Sequence, residues 1–301
     1  MQVKRIKRDI SGVILLDKPL GFSSNQALQK VKHLLQAAKA GHTGSLDPLA
    51  SGLLPLCFGE ATKFSHFLLD ADKSYRALVK LGSTTTTGDA EGEVLTTSTV
   101  EVTAQQLDEV LKNLTGDIKQ TPPMYSALKH EGKALYEYAR QGVEIERASR
   151  DVTIYRIDLH SFEDNQLDIT VACSKGTYIR TLAEDIGAAL GCGAHLAALR
   201  RLSAGHFKLE DAITLEAFEA LSISDRDACL LPVDATIDTL PSVVIDADGE
   251  FYLLRGQSIW KANFHMNGNF RIYNEKGIFL GLGEQGSDGK INPKRLLKSQ
   301  I

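Results

Sequence analysis

The run Gly41-His42-Thr43-Gly44-Ser45-Leu46-Asp47-Pro48-Leu49-Ala50-Ser51-Gly52-Leu53-Leu54-Pro55 breaks the apolar periodicity on either side of it. From Gly41 to Gly52 it is dense in Gly, Ser and Thr and holds Pro48, so it reads as a loop with unusual backbone demands. Such loops carry function more often than regular elements do. Asp47 precedes Pro48, which biases its backbone to extended conformations. Gly44 and Gly52 let another segment approach the backbone closely. An acid in that setting can serve as nucleophile or base. Taken alone, it reads better as a turn-forming or N-capping aspartate.

Upstream, Val13 to Leu16 is a short apolar strand ended by Pro19 and Gly21. Ser23 or Ser24 offers an N-cap for a helix with Ala27, Val31, Leu34, Leu35 and Ala38 on one face. Downstream, Tyr75 to Leu81 alternates like a half-buried strand, and Thr84 to Gly92 is a polar loop. Thr103 and Gln106 form a capping box ahead of Leu107, Val110, Leu111 and Leu114. Val152, Ile154 and Arg156 with Leu167, Ile169, Val171 and Cys173 predict a hairpin turning near Glu163-Asp164-Asn165. Thr177 to Leu190 predicts a helix with Ile179, Leu182, Ala183, Ile186 and Leu190 inward. From Val243 the chain breaks into short β-like runs between glycines, with no long helical pattern before Pro293. This divides the chain into a domain over 1–235 and a small, mainly β domain over 236–301.

Composition narrows the function classes. With 301 residues, 43% hydrophobic and 24% charged, the chain is an ordinary globular protein that needs no disulfide or metal to fold. Cys57, Cys173, Cys192 and Cys229 form no metal-ligand spacing and read as reduced thiols in a cytoplasmic protein. The basic stretch Met1–Arg8 leads into no signal-peptide core, and no segment reaches the ~18 apolar residues of a membrane span. A net charge of −4 argues against indiscriminate nucleic-acid binding, yet bases cluster before Ser45 and from Lys290 to Lys298, which permits a basic face. Gly281-Leu282-Gly283-Glu284-Gln285-Gly286 matches a dinucleotide fingerprint by letter, but too little chain follows for the βαβ unit it requires.

The opening segment resembles the signature of the TruB family of tRNA pseudouridine synthases. Asp17-Lys18-Pro19-Leu20-Gly21-Phe22-Ser23-Ser24-Asn25 resembles that family's N-terminal motif, and Lys73-Ser74-Tyr75-Arg76-Ala77 its tyrosine motif. Ser174-Lys175-Gly176-Thr177-Tyr178-Ile179-Arg180-Thr181-Leu182 resembles its arginine motif, and Leu199-Arg200-Arg201-Leu202 through Phe207 the next block. Order and spacing hold over essentially the whole chain. Ser45 and Ser51 stand where threonines are common in the family.

The resemblance implies an α+β fold: a mixed, mainly antiparallel central sheet flanked by helices, then a small C-terminal β-rich PUA-type RNA-binding domain. It implies an isomerase that detaches uracil from its ribose, rotates it and rejoins it through C5, with no cofactor and no metal. Asp47 is then the catalytic carboxylate, as nucleophile or as C2′ base. Arg180 pairs with it and favours its ionised form. Tyr75 stacks on the flipped uracil, Tyr178 and Leu199 line the pocket, His42 fills the space the base leaves, and Lys18 with Pro19 braces the floor. The implied partner is the T stem-loop of tRNA at uridine 55, with the basic N-terminal residues and the Lys290–Lys298 tail against phosphates. The chain is expected to act as a monomer without protein partners. The rival readings are a non-catalytic RNA-binding protein on the same fold, a synthase acting on another RNA, and a carboxylate-dependent nucleosidase, which usually uses a second acid–base carboxylate that no comparable motif supplies.

Overall fold

The computed structural model describes residues 7–298; Lys4 and Arg5 of the basic N-terminus lie outside the described residues. The apolar run at Val13 forms β1 (Gly12–Lys18). Ser23, not Ser24, caps α1 (Ser24–Leu34), and the Gln26 side chain returns a bond to the Ser23 N–H. The helix buries Ala27, Leu28 and Val31, while Ala38 lies beyond its end and is exposed. The glycine-rich loop is shorter than its composition suggests. Its ends belong to β2 (Ala40–His42) and β3 (Ala50–Phe58), because pairing of Gly41 with Cys57 and of Gly52 with Lys18 draws both into the sheet.

Next come β4 (Lys73–Leu81), α2 (Ala104–Asn113), β5 (Gly116–Gln120), β6 (Arg150–Glu163), β7 (Gln166–Cys173), α3 (Ile179–Ala189) and β8 (Ala194–Ala204). Thr103 and Gln106 form the expected capping box on α2. The β6–β7 hairpin turns through Asp164 and Asn165 at φ 50° and 60°, the left-handed pair that suits the twist of a two-residue hairpin.

The central sheet runs Ile213–Thr214, β1, β3, β8, β4, β7, β6, β5, with β2 added on β3 and Phe207–Lys208 on β8. Its pairs are antiparallel except β3–β8 and β1 with Ile213–Thr214. The mixed, mainly antiparallel α+β fold expected from the sequence is therefore the one observed. α2 and α3 cover β4, β7 and β8 through Leu107, Leu111, Leu182 and Ile186, and α1 covers β1 and β3 through Ala27, Leu28 and Val31.

A second sheet follows, in the order β9 (Ser242–Ile245), β10 (Asn269–Asn274), β11 (Phe279–Gln285), β12 (Ile291–Leu296), with a short helix α4 (Ala247–Leu253). Val243, Leu253, Phe270, Ile272 and Ile291 form its own core. Gly281 and Gly283 of the nucleotide-like string lie inside β11, where a Cβ on Gly281 would sit 2.4 Å from the Arg295 carbonyl oxygen. They are close-packing glycines, not a phosphate loop. Among the described residues no helix is long and apolar enough to cross a membrane.

The parallel β3–β8 seam positions the site. Leu199 lies opposite Ala50, and Arg201 lies opposite Gly52 on one side and Tyr75 on the other. Gly52 has φ +101°, and a Cβ there would stand 2.4 Å from the Arg201 carbonyl oxygen. Gly52→Ala is therefore expected to cost about 3 kcal/mol or more through strain and overlap. Gly41→Ala, with open space around its Cβ, should stay within about 0.5 kcal/mol. Urea unfolding of the two variants checks this; equal stabilities would contradict it.

Candidate active site

Four local structures converge on one cleft of about 390 Å³, whose wall includes Asp47, Tyr75, Tyr178, Arg180, Leu199 and Arg201. The loop carrying Asp47 is held from behind. The Ser24 hydroxyl, buried at the start of α1, donates to the Leu46 carbonyl at 3.0 Å and accepts from the Leu46 N–H at 2.7 Å. The Gly21 N–H reaches the Pro48 carbonyl at 2.9 Å, and the Ala50 N–H closes the turn on the Asp47 carbonyl at 3.0 Å. The N-terminal motif thus works as a clamp on the aspartate loop.

α3 presents the arginine. Tyr178 is its N-cap residue and offers no side-chain cap. Gln120, at the end of β5, supplies one instead: its Oε1 accepts from the Tyr178 N–H at 3.0 Å and its Nε2 donates to the Tyr178 carbonyl at 3.3 Å. Arg180 follows in the first turn with a side chain only 7% exposed. One nitrogen, Nη2, lies 3.1 Å from Asp47 Oδ2, and Nη1 lies 3.4 Å from Asp89 Oδ2. The same nitrogens donate to the carbonyls of Tyr125 and Thr87.

The expected pair is thus present but differently arranged. Arg180 does not grip Asp47 with both nitrogens; it divides its fork between two carboxylates. Asp89 sat in the stretch read only as a polar loop. It is 2% exposed, and the Thr87 hydroxyl and the Glu91 N–H bond its Oδ1. Such a residue cannot reach a substrate, so it does not provide the second acid–base carboxylate that a nucleosidase needs.

Arg180 acts on the Asp47 carboxyl in the expected direction, but burial outweighs it. The Asp47 side chain is open to the cleft but crowded by protein elsewhere. Burial pushes its carboxyl above the usual aspartate value; Arg180 and Lys18 pull it back, and the nearby Asp89 adds to the rise. Arg180 restrains the upward shift without reversing it.

Lys18 and His42 are not part of the cleft lining. Lys18 is fully buried, and its ammonium donates to the carbonyls of Pro19 at 2.9 Å and Phe22 at 2.5 Å. His42 lies on β2 opposite Leu56, with its Nδ1 enclosed and unpartnered. Burial, and then Arg201, hold its protonation below the usual histidine value. At the cleft mouth the Arg150 guanidinium covers the Tyr178 ring at 5.0 Å. The basic stretches are less free than the sequence suggests: Arg8 pairs with Asp227, Lys30 with Glu219, Lys290 with Asp288 and Lys294 with Glu284.

The sharing of Arg180 can be tested without any substrate. Asp89→Asn removes a like charge and leaves Arg180 to Asp47, so the Asp47 carboxyl should titrate lower; Arg180→Gln should move it higher. Carboxylate ¹³C shifts followed through acid pH read both. An unmoved Asp47 titration in Asp89→Asn would show that the carboxylates do not share the guanidinium.

Comparison with known proteins agrees along the whole chain. Residues 32–179 match the family model described as TruB family pseudouridylate synthase, N terminal domain. Residues 180–238 match the tRNA pseudouridylate synthase B C-terminal domain, and residues 241–297 match the model described as pseudouridine synthase II TruB, C-terminal. The tRNA pseudouridine synthase B of Methylobacillus flagellatus is 66% identical over 298 residues, covering 99% of both chains. That of Stutzerimonas stutzeri is 54% identical over 303 residues, again covering 99% of both. A solved Cbf5-Nop10-Gar1 complex aligns with a TM-score of 0.72 at 28% identity, over 95% of this chain and 84% of that one. Identity of this extent, on a fold and a cleft built from the same five motifs, places the chain in the TruB family of pseudouridylate synthases.

Proposed function

We propose that the cleft receives a uridine extruded from the T-loop of tRNA, at position 55, and that Asp47 begins its conversion to pseudouridine. The enzyme is an isomerase of tRNA uridine; the choice of loop and of catalytic residue is the step taken here. The observation that carries it is Asp47 itself. It is the carboxylate of the Arg180 pair that opens into the cleft, whereas Asp89 on the other nitrogen is enclosed.

A stacked nucleotide hides its glycosidic bond, so the base must leave the stack before any carboxylate reaches C1′ or C2′. Once in the cleft, the ring meets Tyr75 as a stacking face, with Leu199 and Tyr178 as further walls. Asp47 then attacks C1′ or removes the C2′ proton; its position suits both. His42 fills the space vacated in the RNA, and Lys18 supports the loop from behind. Residues 1–235 form the catalytic domain in this reading. Residues 236–301, with their own sheet and core, act as a PUA-like RNA-binding domain. The tRNA substrate and the four free cysteines support a cytoplasmic setting.

Asp47→Asn is expected to abolish pseudouridine formation while T-stem-loop affinity stays within a few-fold. Carbodiimide mapping of the RNA reads the first and filter binding the second; a normal pseudouridine yield would overturn the role of Asp47. Because only the ionised form acts and burial raises the carboxyl, wild-type activity should fall, as pH drops, through a value above the ordinary ~3.9.

A further inference from the structure

Three cations are buried around the cleft without an ion-pair partner among the described residues: Lys18, Lys73 and Arg201, at 0%, 9% and 1% exposure. Lys18 spends its protons on the carbonyls of Pro19 and Phe22, and Lys73 on those of Leu68, Leu69 and Ala71. Arg201 donates from Nε to the Leu53 carbonyl at 2.6 Å and from Nη2 to the Gly44 carbonyl at 3.4 Å. Carbonyl dipoles orient these groups but do not cancel their charge. Asp47 and Asp89 are already engaged with Arg180.

Uncompensated buried charge is costly to a fold. Burial draws both Lys18 and Lys73 down to about 8, and Arg201 below its usual value. Lys73 and Arg201 line the cleft while being oriented by backbone carbonyls. Fixed charge of this kind is suited to negative charge that develops inside the cleft during reaction. Tyr75 is the cross-strand neighbour of Arg201, and both residues line the cleft.

We propose that Arg201, with Lys73 beside it, serves the leaving group: its uncancelled charge in the cleft wall stabilises the uracil anion formed when the glycosidic bond breaks. This rests on the reading of the cleft as the uridine site. The C1′–N1 bond breaks and its electron pair passes to N1, spreading over the ring to O2 and O4. Asp47 makes the matching change at the sugar, bonding C1′ or taking the C2′ proton, and later reverses it. The anion rotates and a ring electron pair at C5 forms the C5–C1′ bond. The C5 proton is then lost and N1 gains one, so no atom is added or removed overall.

The test is single-turnover loss of the starting nucleoside from a T-stem-loop RNA carrying either uridine or 5-fluorouridine at the target position. Fluorine stabilises the N1 anion by induction, so an enzyme that has lost its own stabilising charge should be rescued by it. Arg201→Gln is expected to slow uridine cleavage roughly 100-fold and 5-fluorouridine cleavage about tenfold less than that. Lys73→Met should show a smaller gap of the same sign, and Arg201→Lys, which keeps the charge, should recover much of the loss. Equal slowing on both RNAs overturns the proposal. If Arg201→Gln does not melt as a folded protein, Lys73→Met is read the same way, and equal slowing of the two RNAs there overturns the proposal equally. A wild type that consumes neither RNA would instead remove the reading of the cleft beneath it.

Discussion

Arg180 is buried, always charged, and within ion-pairing distance of two carboxylates, Asp47 and Asp89. Satisfying that one guanidinium fixes where four chain segments must meet. α3 brings the arginine, the loop after β2 brings Asp47, the turn beyond Thr85 brings Asp89 and the Thr87 carbonyl, and the segment after β5 brings the Tyr125 carbonyl. None of these segments adjoins another in sequence. The sheet makes the meeting possible, because the parallel β3–β8 seam sets the Asp47 loop beside Leu199 and Arg201, and β4 adds Tyr75 next to them.

The arrangement has an electrostatic consequence. A guanidinium held wholly by Asp47 would pull that carboxyl down more strongly than a shared one does. Sharing with Asp89 weakens the hold, and burial pushes the Asp47 carboxyl up. The carboxylate is therefore oriented without being overly stabilised. Asp89, anchored by the Thr87 hydroxyl and the Glu91 N–H, keeps the other half of the fork in place. Arg201 plays a comparable organising part in the same wall, where Gly52 lets its backbone approach and the Leu53 and Gly44 carbonyls accept from its side chain.

Much of this was legible in sequence, for reasons that differ by feature. Caps and periodicity are local, so Thr103 with Gln106, the Asp164-Asn165 turn and the inward face of α3 could be read directly. Asp47, Tyr75, Tyr178, Arg180 and Leu199 stood out through their motifs, and the fold brings them to one cleft. Asp89 could not be read, because its value comes only from Arg180, which lies 91 positions further along the chain. The same holds for Gln120 capping α3 and Ser24 clamping Leu46. Pairing across the sheet also overrode composition at Gly41 and Gly52, which joined strands despite a loop-like sequence. Arg201 was visible only as part of the block from Leu199 through Phe207; its neighbour Arg200 turns instead to Asp17, at 3.1 and 2.6 Å.

The central claim is that the shared guanidinium aims Asp47 at the ribose of an extruded uridine. A crystal structure of the Asp47→Asn protein with a T-stem-loop RNA tests it most directly. The account expects the target base out of the stack and against Tyr75, residue 47 within about 3.5 Å of C1′ or C2′, and Arg180 still seated on Asp89. A target uridine that remains stacked in its loop, or that binds with its ribose turned away from residue 47, would contradict it.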